Sequence, residues 1–300
     1  MMHEVGDGSK RCAEEFSTGL TAEFLETIVV HLLRERWDLV TLEEGIARLG
    51  RGDPTRRFAV LTFDDAYRDT LTRALPVLER HGAPFTVYVP SGAPTRELYS
   101  WWLGLRALFQ RHDRVVISAM EASFDCSDRS GKTEGLGQVL AWVHGDYRRA
   151  ALLDETFRRY GISLAGLNDI YFLSESQLCT LANHPLVNIG AHTVSHTALS
   201  LLETAAVREE FIGNRRYLEN LTGRRVVDFA YPYGGPLACG EREFALAAQA
   251  GFRSGVTTRY GPLFANHRHD VHALPRIAAG GTSEIDEYAA TLAALRNATT

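Results

Sequence analysis

The stretch FAVLTFDDAYRDTLTRALPVLERHGAPFTVYV, residues 58–89, decides the fold. Its first six residues form an apolar run bounded by charge, which reads as a buried strand. Leu71, Ala74, Leu75 and Leu78 then share one face of a helix over 68–81, and Gly82 follows as a stop signal. FTVYV at 85–89 is a second strand, ended by Pro90. Strand, helix, strand is a crossover unit, and a crossover makes its two strands parallel.

The same rhythm extends outward. Before this unit, Phe24, Leu25, Ile28, Val29, Leu32 and Leu33 line one face of a helix over 21–36, with Thr21 as its N-cap. After it, LVNIGAHT (186–193) is a strand. A helix covers 202–222 and stops at Gly223. VVDFAYPYG (226–234) is a strand running into a turn, and a helix covers 241–250. SGVTT (254–258) and HALPRI (272–277) read as short strands, and a last helix is expected at 283–296. No internal repeat is present. The expectation is one α/β domain over 1–300, a barrel with its functional residues at the C-terminal strand ends.

Residues 91–185 break the rhythm. They show several helical patches and no strand pair, and DCSDRSGKTEG (125–135) reads as a loop. Ser174 and Gln177 have capping-box spacing. This block is expected to be a mostly helical insertion over the barrel's C-terminal face. Tyr99, Trp101 and Trp102 are its candidate flat apolar faces for a ligand, with at least one tryptophan in the insertion's own core.

Composition excludes more than it selects. The 300 residues are 45% apolar and 23% charged, as in an ordinary protein with a sizeable core. A net charge of −5 disfavours nucleic acid as partner. Only Lys10 and Lys132 are lysine, and the arginines are spread rather than clustered. No stretch is apolar enough for a membrane span, and the polar start MMHEVGDGSKRC does not read as a secretory signal. Cys12, Cys126, Cys179 and Cys239 stand far apart, as expected of reduced thiols in a cytoplasmic protein.

Three polar clusters each follow an apolar strand. Asp64 and Asp65 are adjacent at a strand end, where alternation points them apart. They fit a metal ligand beside a base, or a helix N-cap with a solvated neighbour. His192 and His196 stand at i and i+4, a spacing that delivers two imidazoles to one zinc ion and also occurs in core or surface histidines. Phe229-Ala230-Tyr231-Pro232-Tyr233-Gly234 is either a plain turn or a turn that aims a backbone N–H at a carbonyl. Together they give three ligands, an open position and a spare carboxylate, the donor count of a hydrolytic zinc site.

In this order the clusters resemble the polysaccharide deacetylases, the NodB-homology family (carbohydrate esterase family 4), with their TFDDG, H-[ST]-x-x-H and R-P-P-Y-G-like motifs. The resemblance covers about 58–90 and 186–278. A looser likeness, to one subgroup, covers the opening MHEV and the stretch FLETIVVHLLRERWDLVTLEE. It implies a distorted (β/α)7 barrel and the removal of acetyl groups from N- or O-acetylated sugars with a divalent metal, usually zinc. Carried over by residue, Asp64 matches the base, and Asp65, His192 and His196 match the metal ligands. Tyr233 matches the residue whose backbone N–H helps form the oxyanion hole. Thr193 matches the small hydroxyl between the histidines. Tyr67, Tyr231, Pro232, Gly234 and Trp102 complete the set as expected substrate contacts.

Three departures matter. Ala66 replaces a glycine, Ala230 stands where many members have an arginine against the base, and the terminal L-x-H motif is not clearly present. The subgroup with F-A-Y-P-Y-G often has L-P-R-[IV], matched here by Leu274-Pro275-Arg276-Ile277, so Arg276 is expected to take over the missing charge, the alternative being an ordinary surface or structural arginine. With the usual histidine gone, the general acid is sought among His3, His267, His269 and His272. His3 is the favoured choice because a first barrel strand would end near the same face. The implied function is zinc-dependent hydrolysis of the acetyl group of an N-acetylated amino sugar in an oligosaccharide or glycoconjugate. The alternatives are hydrolysis of another amide or a cyclic imide, and carbohydrate binding without catalysis.

Overall fold

A computed structural model of the chain describes residues 1–6, 19–51 and 56–279. Cys12 and the helix expected at 283–296 lie outside the described residues. The chain divides into two compact units, Met1–Thr95 with Phe172–Thr300, and Arg96–Tyr171.

In the first unit the strands are β1 (Val5–Gly6), β2 (Leu20–Thr21), β3 (Asp38–Leu39), β4 (Phe58–Ala59), β5 (Leu61–Phe63) and β6 (Phe85–Val89). In the second, β7 (Arg114–Ile117) pairs antiparallel with β8 (Ala122–Asp125). The first unit then resumes with β9 (Val187–Ala191), β10 (Asp228–Ala230), β11 (Ser254–Tyr260) and β12 (Leu274–Arg276). Its main sheet has six strands in the order β12-β11-β10-β9-β6-β5, every pair parallel. The sheet is a curled half-barrel, so the expected α/β barrel architecture is present. Its two end strands, β5 and β12, are bridged by the Arg276 side chain, which reaches Thr62 and Asp64. Met2 also pairs with Phe63 beside β5.

The alternation of side chains separates two cores. Val87, Val89, Ile189, Ala191 and Phe229 pack with the helix residues Leu178, Val207 and Phe211. Tyr88, Ala230, Val256 and Leu274 form the other cluster, with Leu42 and Leu49. Gly190 is required here: a Cβ on it would collide with the Tyr88 ring. At the N-terminal ends of β10 and β11, the fully buried Asp228 accepts hydrogen bonds from Arg253 at 2.6 and 3.0 Å and from Ser254 at 2.8 Å.

Most expected elements are present, trimmed at their ends. The first helix spans Ala22–Arg34, and the Thr21 hydroxyl caps it by accepting from Phe24 N–H. The helix after Asp64–Asp65 carries a π-helical turn at Thr70–Ala74 before continuing as Leu75–Arg80. The apolar run 58–63 is interrupted at Val60, giving two strands that pair with different partners, β3 and β6.

The block at 91–185 needs correction. It contains the β7–β8 hairpin, although no strand pair was expected. Residues 125–135 are also not a loop throughout: Asp128 caps a helix, Arg129–Gly145, by accepting from Gly131 N–H at 2.8 Å. The second unit is narrower than the expected insertion because helix Glu175–Ala182 places Leu178, Leu181 and Ala182 in the first unit's core. No helix among the described residues is long and apolar enough to cross a membrane.

Candidate active site

Asp64 and Asp65 leave the end of β5 in different directions, because the backbone turns left-handed immediately afterwards. φ is 70° at Asp65 and 59° at Ala66. Left-handed φ in residues with a Cβ is uncommon and concentrates at functional sites. It recurs here at Thr193 (66°), His196 (56°) and Tyr233 (61°), so each of the three motifs contains a strained turn.

Asp64 is only 2% exposed and faces Arg276. The guanidinium donates to Oδ1 at 2.8 Å and to Oδ2 at 2.7 Å, a two-pronged ion pair. Its Nε donates to the Thr257 carbonyl, and Nη1 also reaches the Thr62 hydroxyl at 3.3 Å. Burial pushes the Asp64 carboxyl up, but the charge and hydrogen bonds of Arg276 outweigh it and hold Asp64 below its usual range. Arg276, from β12, thus meets Asp64 across the gap between the two end strands. Ala230 contributes only a backbone group, its carbonyl 2.7 Å from Nδ1 of His192.

Asp65, His192 and His196 are all buried, and their ligand atoms lie within 4.8 Å of one another. Asp65 Oδ1 is 3.3 Å from Nε2 of His192 and 3.1 Å from Nε2 of His196. A carbonyl can only accept, so Nδ1 of His192 carries the proton and donates to Ala230. The Nε2 of a neutral ring then turns its lone pair toward the carboxylate. A lone pair and an anion facing each other call for a cation between them. Burial lowers the His196 pKa against the opposing pull of Asp65, which favours the neutral, ligating form. Burial raises Asp65, but the imidazoles outweigh it and leave the carboxyl well below its usual range. A tetrahedron with zinc–ligand bonds of ~2.0–2.1 Å has edges of ~3.3 Å, close to the two separations found. The donor set therefore fits a divalent metal such as zinc, with one ring pre-oriented by its second nitrogen.

The loop between the histidines is held from two sides. The Thr193 hydroxyl accepts from His196 N–H at 2.9 Å, as its position between the rings suggested. Asn214 and Glu210, both on helix Thr204–Thr222, were not anticipated. The Asn214 side chain accepts from His192 N–H and donates to the Val89 carbonyl, both at 3.0 Å. Glu210 accepts from the N–H groups of Val194 and Ser195. A signal for Asn214 exists in the sequence: it falls on the buried helical face with Val207, Phe211 and Leu218.

The remaining expected residues divide. The Tyr233 ring lies edge-on to His196, with centroids 4.8 Å apart, and its carbonyl accepts from the Thr258 hydroxyl. Gly234 has φ 57°, and a Cβ there would collide with the backbone nitrogen of Thr258. Pro232 is buried in the turn before it. His3, just before β1, lies close enough to act electrostatically on Asp64, Asp65 and His196.

Tyr231 and Tyr67 are corrected from substrate contacts to core residues. Tyr231 is fully buried between Phe229 and Phe244, and its hydroxyl donates to the His272 carbonyl. Tyr67 is 1% exposed and packs on Phe172. Among the other acid candidates, Nε2 of His272 sits 2.8 Å from the Phe252 carbonyl and Nδ1 of His267 accepts from Phe264 N–H, both structural roles. His269 is exposed. In the second unit, Trp101 is buried and Trp102 half-buried against it.

Comparison with known proteins places this geometry. The family model for polysaccharide deacetylase matches residues 51–119 and 149–255, more than half of the chain. The deacetylase PplD of Streptococcus pyogenes, solved in complex with acetate, is similar with a TM-score of 0.64 at 16% identity, over 97% of this chain and 95% of that one. IcaB from Ammonifex degensii gives a TM-score of 0.60 at 16% identity, over 99% of this chain and 94% of that one. These two likenesses show the fold. A curated protein of Rhodococcus jostii (strain RHA1) named tRNA dimethylallyltransferase is 33% identical over 153 residues, 43% of this chain. The match spans about half of that protein's length, 48%. The family match, the shared fold and the order of the three motifs agree: this chain belongs to the polysaccharide deacetylase family.

Proposed function

We propose that the chain hydrolyses the acetyl group of an N-acetylated amino sugar in an oligosaccharide or glycoconjugate, with a divalent metal, releasing acetate. The observation that carries this reading is the pair of carboxylates after β5. One is held ionised by Arg276, and the other is grouped with the two buried imidazoles of His192 and His196. Asp65, His192 and His196 would hold a divalent metal such as zinc, which would supply Lewis-acid polarisation of the acetyl carbonyl and of the attacking water.

The chain's own groups do the rest. Asp64, ionised at neutral pH, accepts a proton as water attacks the carbonyl carbon. Arg276 orients that carboxylate through its two-pronged contact. The left-handed turn at Tyr233 directs its backbone N–H to the developing oxyanion, and one such donor is worth about 3–4 kcal/mol. As the C–N bond breaks, the amine takes a proton, from Asp64 or from His3, and leaves as a free amino sugar beside acetate. Water and amide are consumed and acetate and the ammonium form of the sugar amine are formed, so both protons of the water end on the amine.

The test is acetate release across a panel of acetylated saccharides, with cyclic imides alongside and the metal content measured. Asp64→Asn is expected to keep the metal and lose activity by about 10²-fold or more, whereas His192→Ala loses both. Wild-type turnover by Asp64→Asn would overturn the assignment of the base. Saccharide binding without acetate release would overturn the catalytic reading, and turnover of imides alone would overturn the substrate class. A cytoplasmic location is part of the proposal, supported by the free thiols of Cys126, Cys179 and Cys239 and tested by fractionation.

A further inference from the structure

We infer that Glu210 is a positioning residue for the metal centre: its carboxylate holds the His192–His196 loop in the shape that brings both imidazoles to Asp65. This rests on the metal-site reading above.

The loop reverses between two strained residues, Thr193 and His196, each with left-handed φ. Such a reversal turns the intervening amides, Val194 and Ser195, outward together. Both meet a single oxygen: Oε2 of Glu210 accepts from Val194 N–H at 2.7 Å and from Ser195 N–H at 3.0 Å. The other oxygen, Oε1, accepts from the Ser195 hydroxyl at 2.7 Å. The opposite side of the loop is fixed by its carbonyls. Thr193 accepts from Ser91 N–H and Val194 from Gly92 N–H.

The loop is therefore clamped between a helix carboxylate and a backbone segment, with a metal ligand at either end. Three short hydrogen bonds to one side chain anchor a conformation the backbone would otherwise leave. Glu210 and Asn214 stand four residues apart on helix Thr204–Thr222, so one helix face fixes His192 directly and His196 through the loop. The hydrogen bonds of Glu210 go to Val194 and Ser195 of the loop. Glu210 acts on metal affinity only through the backbone.

The test measures zinc affinity by chelator competition for wild type, Glu210→Ala, Glu210→Asp and Glu210→Gln, all full-length. Glu210→Asp keeps the charge but is one methylene too short to meet both amides. Glu210→Gln loses the charge but keeps a carbonyl oxygen for them. The expected result is a loss of about 10–100-fold in affinity for Ala and Asp, and about fivefold or less for Gln.

Affinity within about threefold of wild type for both Ala and Asp would overturn the inference. So would a reversed order, Asp normal and Gln weak, because charge rather than geometry would then be acting. If Glu210→Ala does not fold, the Asp and Gln pair decides. Asp228→Asn, at the opposite strand ends, is the control for lowered stability: it is expected to melt earlier with unchanged zinc affinity. A loss there equal to that of Glu210→Asp would also overturn the inference. Wild type that binds no zinc would overturn the metal-site reading itself, which separates the two failures.

Discussion

At the scale of single residues, the site balances strain against contact. Ala66 holds φ 59° with its methyl fully buried. Left-handed backbone costs a residue with a Cβ roughly 1–2 kcal/mol. Ala66→Gly relieves that, but gives up about 0.8 kcal/mol of buried methyl and adds about 0.4–1 kcal/mol of unfolded-chain entropy. The terms nearly cancel, so Ala66→Gly should lie within about 1 kcal/mol of wild type in urea unfolding, with activity kept. Ala66→Val, branched in the same left-handed turn, should cost about 2 kcal/mol or more. Arg276 poses the opposite case, contact rather than strain. In Arg276→Met, burial still raises the Asp64 carboxyl while its counter-charge is gone, so the pKa rises. The acid limb of the kcat/KM–pH profile should therefore move to higher pH, with activity at neutral pH falling about 10–100-fold. Arg276→Lys should recover only part, because an ammonium cannot fork across both oxygens. An unchanged profile in Arg276→Met would remove Arg276 from the mechanism.

At the scale of elements, helix Thr204–Thr222 does more than cover the sheet. Its buried Asn214 ties His192 N–H to the carbonyl at the end of β6. Asn214→Leu fills similar volume but leaves that N–H and carbonyl buried and unpaired. Each such group costs about 1–3 kcal/mol, so a loss of roughly 2–6 kcal/mol in urea unfolding is expected. A loss below about 1 kcal/mol would mean that the two groups find other partners. These elements also show what the sequence could tell. The parallel strands, the crossover helices and the Asp65–His192–His196 set were legible because apolar runs and ligand spacing are local patterns. The β7–β8 hairpin was not: Arg114–Ile117 and Ala122–Asp125 alternate only weakly, and the connecting Glu121, in left-handed backbone, has neither Gly nor Asn to announce the turn. Tyr231 and Tyr67 were misplaced for a related reason. Motif position says that a ring is near the site, but only packing says which way it faces. Glu210 was hidden because an acid on a partly exposed helix face reads as solvated, and its amide partners become available only once the loop has reversed.

At the scale of the whole molecule, two of the first unit's buried ion pairs stand at two ends of one sheet. Asp228 with Arg253 and Ser254 closes the N-terminal ends of β10 and β11, and Asp64 with Arg276 stands past the C-terminal end of β5 and at β12. The proposed metal ligands Asp65, His192 and His196 belong to this second group, so filling the centre and breaking the Asp228 pair act at separate places and their effects should add. Zinc at 100 times its dissociation constant stabilises the form that binds it by about 2.7 kcal/mol. In a chain of this size that raises the melting temperature by roughly 4–5 °C. The expected thermal scans follow. Wild type gains this increment on adding zinc and loses it to a chelator. Asp228→Asn starts lower, because Arg253 has lost its buried partner, yet gains the same increment. His196→Ala keeps most of the metal-free stability and gains almost nothing. An equal zinc increment in His196→Ala would place the stabilising ion elsewhere. A smaller increment in Asp228→Asn would mean that the two ends of the sheet are coupled through its strands, and that the fold and the metal site are stabilised as one unit.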